Sequence, residues 1–82
     1  MQQVTISLGR CKQSNDVAVD DASVSRQHLR ITVANLQHLL LEDCQSSYGS
    51  FYWDGQQWQR FSTAQLTADD YNYIGATKLR LM

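Results

Sequence analysis

The chain has 82 residues, a net charge of −1 and only 18% charged side chains, against about 25% in ordinary globular domains. Its polarity comes instead from ten Gln, eight Ser and five Thr. That balance excludes a nucleic-acid binder held by a broad positive field, and it excludes a charge-rich disordered tail. The length fits one domain spanning 1–82 with one core, because a chain this short buries only about 60–65% of its unfolded surface. No apolar run approaches the ~18 residues of a membrane-spanning helix; the longest is Leu39-Leu40-Leu41. Met1-Gln2-Gln3-Val4 lacks the basic start and apolar stretch of an export signal. The expected setting is therefore cytoplasmic, with Cys11 and Cys44 as reduced thiols.

Val4, Ile6 and Leu8 alternate with polar residues, the two-residue period of a strand. Ser14-Asn15-Asp16 signals a turn, after which Val17 and Val19 alternate. Leu29, Ile31 and Val33 alternate again, Asn35 punctuates, and Leu36–Leu41 reads as the hairpin partner. Asp54-Gly55 lies between two aromatic runs, and both residues tolerate positive φ, so a further hairpin is expected there. Thr63 to Asp70 holds at most one short helical turn. Tyr71, Tyr73, Leu79 and Leu81 flank Gly75-Ala76 as a last hairpin. Many short strands and little or no helix predict an all-β antiparallel sandwich or barrel.

Three loops interrupt this pattern: Gly9–Asp16, Asp20–His28 and Asp43–Ser50. They collect two arginines and several serines. An arginine keeps its charge throughout the physiological range, and hydroxyls and loop amides add short donors. Arg10, Ser25 and Ser47 could thus hold a small, local phosphate. Composition alone favours the plainer pairing of Arg10 with Asp16 or Asp20, with the serines satisfying turns.

Other chemistries fit less well. Ser25, His28 and Asp43 are the residue types of a hydrolytic triad, but no nucleophile-elbow motif accompanies them, and catalysis is not expected. His28 reads as a turn histidine bonding nearby backbone. Cys11, His28, His38 and Cys44 match no common zinc spacing, so neither metal nor cofactor is expected. Trp53 and Trp58, with Phe51 and Tyr52 beside them, read as cross-strand pairs rather than a stacking platform, since no basic groove goes with them. Cys11, beside Arg10, reads as an inert loop thiol, although a neighbouring arginine lowers a thiol's pKa.

The three loops together resemble the forkhead-associated (FHA) domain family. Its pattern is a strand ending in Gly-Arg, then Asn-Asp-hydrophobic, then Val-Ser-Arg-x-His, then Leu-x-Asp-x-x-Ser-Thr-Asn-Gly-Thr-Phe. Here Gly9-Arg10, Asn15-Asp16-Val17 and Val24-Ser25-Arg26-Gln27-His28 match in order. Leu41 to Phe51 matches with changes, and Tyr71 to Ala76 is similar to the family's last hairpin. The resemblance spans roughly Val4 to Leu81.

It implies an antiparallel two-sheet sandwich that recognises phosphothreonine on a partner protein in Ser/Thr kinase signalling or assembly, without enzyme activity. By that resemblance Arg10, Ser25 and Ser47 bind phosphate and Arg26 touches phosphate or peptide. His28 buttresses the loops, and Gly9 and Gly49 permit tight turns beside the site. Tyr48 stands where the family has a peptide-binding asparagine, so weakened binding or an altered residue preference is expected there. An alternative is a degenerate FHA fold serving as a phosphate-independent interaction or oligomerisation module. Only eight residues precede Gly9, where the family usually has a further strand. An open sheet edge with self-association is therefore a further expectation. So is origin as one domain cut from a larger protein at Met82.

Overall fold

Period-two alternation decides which side chains meet. In β3 (Leu29–Asn35) Leu29 and Ile31 are buried and Arg30 between them is exposed. In β4 (His38–Asp43) Leu39 and Leu41 are buried, and Leu40 faces out, so the apolar triplet is an alternating strand after all. A computed structural model of the chain describes residues 3–81. Met1, Gln2 and Met82, on which the sequence reading of the chain ends rests, lie outside the described residues.

The remaining strands are β1 (Val4–Gly9), β2 (Val17–Ala18), β5 (Ser50–Trp53), β6 (Trp58–Arg60), β7 (Thr63–Leu66), β8 (Asn72–Ile74) and β9 (Thr77–Leu79). They form a five-stranded sheet in the order β2-β1-β3-β4-β7 and a four-stranded sheet in the order β6-β5-β8-β9. All pairings are antiparallel except β1 with β2. The described residues contain no helix. The expected two-sheet β-sandwich is what forms. Leu8, Val24, Leu29, Ile31, Leu39, Leu41, Phe61, Ala68 and Ile74 make the core. Each of these Val, Leu, Ile and Phe side chains contributes about 1.5–3 kcal/mol by leaving water.

The expected hairpins close at Leu36-Gln37, Asp54–Gln57 and Gly75-Ala76. Three details differ from the sequence reading. Leu36 is 54% exposed in its turn rather than in the strand, because the ladder starts at Asn35 and His38. Val17 is exposed, and only Val17 and Ala18 pair with β1. Thr63–Leu66, expected as at most a helical turn, is strand β7, paired through Leu41 with Ala64 and Leu39 with Leu66.

The outer edge of β1 is partly occupied. Val17 and Ala18 lie beside Leu8 and Gly9. The Ser7 N–H donates to Asp16 Oδ2 at 2.9 Å, and the Asp16 N–H donates back to Ser7 Oγ at 2.9 Å.

Register also places Asp43 at the end of the sandwich where the three loops lie. Leu29 lies between Leu8 of β1 and Asp43 of β4, and cross-strand partners share a face. Asp43 therefore turns inward at the rim of the core, and a carboxylate there must find donors.

Candidate functional site

The three loops meet at this end, and His28 joins them. The ring is fully buried. The Ser25 N–H donates to Nδ1 at 3.0 Å, and Nε2 lies 2.8 Å from the Gly49 carbonyl. With Nδ1 accepting, the proton must sit on Nε2, which donates to Gly49, so the bonds assign the neutral tautomer. The His28 backbone adds two more ties, donating to the Leu8 carbonyl and accepting from the Cys44 N–H, each at 2.9 Å.

Arg10 follows the last residue of β1, and its N–H donates to the Ser25 carbonyl at 2.9 Å. Ser25 Oγ accepts the Ser47 N–H at 3.1 Å. That leaves the Ser25 hydroxyl proton free to be donated. Ser47 is exposed, Arg26 is exposed, and Tyr48 is 64% exposed. The Arg26 carbonyl is consumed by Cys11 N–H at 3.2 Å and by Asn15 Nδ2 at 2.6 Å, which fixes its backbone and leaves the guanidinium outside. Gly9 is a packing requirement: a Cβ there would collide with the Arg26 carbonyl oxygen.

Neither Arg10 nor Arg26 pairs with a carboxylate among the described residues. Of the two partners favoured from composition, Asp16 is bonded to Ser7, and Asp20 makes no ion pair among the described residues. Asp16, Asp21 and Asp43 are satisfied by hydroxyls and amides, and no carboxylate among the described residues pairs with the two guanidinium groups, which leaves them available to an external anion.

Asp43 is the clearest case. Its carboxylate accepts the Ser46 N–H at 2.9 Å, the Ser46 hydroxyl at 2.6 Å and the Ser50 hydroxyl at 2.6 Å. Burial pushes its pKa up, but these bonds outweigh burial and hold it below the ordinary carboxylate value. Ser46 Oγ in turn accepts the Gly49 N–H at 3.0 Å, so the loop is bonded within itself. Gly49 needs its φ of +87° to let its carbonyl meet both His28 and the Gly75 N–H, the latter at 2.9 Å.

The Asp20–His28 loop is stapled to the last hairpin. Asp21 accepts the Ser23 N–H and hydroxyl and the Thr77 hydroxyl, and these bonds hold its pKa below the usual value. Ser23 Oγ accepts the Ala76 N–H at 2.7 Å.

The triad residue types are brought together without a triad's bonding. His28 Nδ1 meets the Ser25 backbone rather than its hydroxyl, and Nε2 is 3.8 Å from Asp43, beyond a hydrogen bond. No three His, Cys, Asp or Glu side chains converge on a possible metal among the described residues. The Cys11 thiol is held below its ordinary pKa chiefly by the Ser14 hydroxyl at 3.2 Å. Its charged neighbour is Arg26, not Arg10 as the sequence order suggests. Trp53 and Trp58 pack edge to face at 5.5 Å, and Trp58 meets Tyr73 at 4.8 Å, as cross-strand aromatics do.

Sequence reasoning named Arg10, Ser25, Arg26, Ser47, Tyr48, Gly9, His28 and Gly49, and all lie at this end of the sandwich. It missed three supports. Asn15 bridges two loops through the carbonyls of Cys11 and Arg26, and its Asn-Asp motif was the available signal. Asp43 with Ser46 and Ser50 shapes the third loop, and the inward register of Asp43 was the signal. Asp21 with Ser23 left only a turn-like Asp-x-Ser spacing.

The FHA domain family profile matches residues 6–75. The chain belongs to the FHA domain family. Solved structures agree with this. The FHA domain of the CT664 protein from Chlamydia trachomatis is 29% identical, with a TM-score of 0.79 over 92% of this chain and 72% of that one. EmbR of Mycobacterium tuberculosis, solved with a low-affinity phosphopeptide, is 28% identical with a TM-score of 0.74. That match covers 90% of this chain and 18% of EmbR. The FhaA FHA domain, complexed with the intracellular domain of Rv3910, shares the fold at 24% identity and a TM-score of 0.71, over 95% of this chain and 79% of that one. No curated protein matches. In this FHA domain no helix among the described residues is long and apolar enough to cross a membrane.

Proposed function

We propose that this FHA domain docks onto a phosphothreonine-bearing partner protein in the cytoplasm, as a non-catalytic module in Ser/Thr kinase signalling or assembly. Arg10 supplies the charge, Ser25 and Ser47 the hydroxyl donors, Arg26 a second basic contact and Tyr48 a contact to the peptide. The observation that carries this reading is the chain of short bonds from Arg10 N–H to the Ser25 carbonyl and from Ser47 N–H to Ser25 Oγ. It ties the backbones of the three phosphate-binding candidates to one another, and neither arginine pairs with a carboxylate among the described residues. The phosphopeptide complex of EmbR adds support.

Charge-assisted bonds to an exposed phosphate are worth about 1.5–3 kcal/mol each, so modest affinity is expected, and salt weakens it. Calorimetry with phosphothreonine peptides tests the reading. Arg10→Ala is expected to abolish measurable binding, and Ser25→Ala to weaken it about tenfold. A second reading keeps the fold as a phosphate-independent interaction or oligomerisation module. It is favoured by the exposed Tyr48 in place of the family's asparagine. Peptide binding that ignores phosphorylation would select it.

A further inference from the structure

Gly49 has a second neighbour. A Cβ on this residue would sit 2.6 Å from Arg60 Nε and 3.0 Å from Arg60 Cζ, so the Arg60 side chain fills the space that the glycine leaves open. Arg60 ends β6, opposite Phe51, and the following Phe61 N–H donates to the Ser50 carbonyl at 2.9 Å. The base of this side chain is therefore anchored to the strand that leaves the 43–50 loop. Its charged end lies on the loop itself, two residues beyond Ser47. Two residues of extended chain span at most about 7 Å.

Arg60 also lines an open cleft of about 920 Å³ together with Arg30, Glu42, Ser46 and Thr63. The two arginines of that cleft are not equivalent. Arg30 is paired with Glu42 at 3.5 Å, whereas Arg60 pairs with no carboxylate among the described residues. Asp43, the other acid of the cleft, is occupied by Ser46 and Ser50. The cleft thus presents one unneutralised guanidinium, pre-positioned by packing, next to the proposed phosphate site.

We propose that Arg60 is a specificity-determining residue that selects peptides carrying an Asp or Glu side chain close to the phosphothreonine. This rests on the phosphopeptide reading above. The guanidinium would pair with the carboxylate as the phosphate seats on the loops. An exposed pair of this kind is worth about two- to fivefold in affinity.

The test is a peptide panel with one Asp moved through the three positions on either side of phosphothreonine, each matched by its Asn counterpart. The full chain and its Arg60→Gln variant are titrated with every peptide. The wild-type chain is expected to prefer Asp over Asn about threefold at one or more positions, and Arg60→Gln is expected to erase that preference while keeping its affinity for the Asn peptides. Raising the salt should shrink the wild-type preference. A preference that survives Arg60→Gln, or no preference anywhere in a panel that binds, overturns the role of Arg60 and leaves the phosphothreonine reading standing. Failure of every phosphothreonine peptide to bind overturns both. Arg60→Lys separates charge from packing. Partial retention of the preference supports a charge contact, and loss of folding in either variant, seen by circular dichroism, assigns Arg60 a structural role instead.

Discussion

The imidazole of His28 spans the two loops that follow β2 and β4, taking the Ser25 N–H on Nδ1 and giving its Nε2 proton to the Gly49 carbonyl. One backbone group belongs to Ser25, a proposed phosphate contact, and the other to Gly49, which follows Tyr48, and the ring itself is fully buried. His28 therefore acts by holding others. His28→Ala leaves the part-buried Ser25 N–H without its acceptor and the Gly49 carbonyl with the Gly75 N–H alone, and an unmet donor costs about 1–3 kcal/mol. The expected loss is about 1–3 kcal/mol in chemical denaturation, and hydrogen exchange at Ser25 should accelerate with it. A variant as stable as the parent would contradict the bonding pattern.

Asp43 sets an acid limit on the loop. Its folded pKa lies below the unfolded value, so its stabilisation is fully present above about pH 3.9 and is lost as pH falls through the folded pKa. Asp43→Asn should lower stability near neutral pH by about 1–3 kcal/mol, since two serine hydroxyls lose a charged acceptor. The gap between parent and variant should close below the folded pKa. Denaturation midpoints measured from pH 7 down to pH 2 check this, and a constant gap would contradict it.

Much of this was legible in the chain. Leu29-x-Ile31 and Val4-x-Ile6-x-Leu8 carry a two-residue period strong enough to place β1 and β3, and Gly55 and Gly75 mark turns by their tolerance of positive φ. Strand β7 was not legible, because Thr63-Ala64-Gln65-Leu66 is short and weakly apolar. It forms because β4 offers an unpaired edge whose Leu39 and Leu41 need company. The parallel pairing of Val17-Ala18 with Leu8-Gly9 is likewise a product of tertiary placement. At the site, residue types made Arg10, Ser25 and Ser47 candidates, and the family resemblance assigned them phosphate-binding roles. They could not show that Asp16 bonds Ser7 rather than Arg10, because charge opposition in sequence says nothing about which donors come closer.

Gly9 gives a sharp packing prediction. A methyl there meets the Arg26 carbonyl and lies 2.7 Å from Asn15 Nδ2. Gly9→Ala should cost about 1–3 kcal/mol and displace the backbone of Arg26. Thermal denaturation and backbone amide shifts at Cys11, Asn15 and Arg26 are the readouts. An unchanged melting temperature would contradict the close approach.

Tyr48 is where affinity should be recoverable. A tyrosine has one hydroxyl at the end of a long ring and cannot copy the short fork of an asparagine amide. Tyr48→Asn is expected to add a hydrogen bond to the peptide backbone worth about 0.5–1.5 kcal/mol, so about fivefold in Kd. Its exposed position makes a stability change small. Unaltered affinity for a phosphothreonine peptide would show that Tyr48 does not face the bound chain.

The measurement that bears most directly on the central claim is an NMR titration of isotope-labelled protein with a phosphothreonine peptide, run against phosphoserine and unphosphorylated versions. The expected result is a set of shifts at Arg10, Ser25, Arg26 and Ser47 that requires phosphothreonine and disappears in Arg10→Ala. Shifts that are the same with all three peptides, or that map to a face of the sandwich away from these loops, would contradict it.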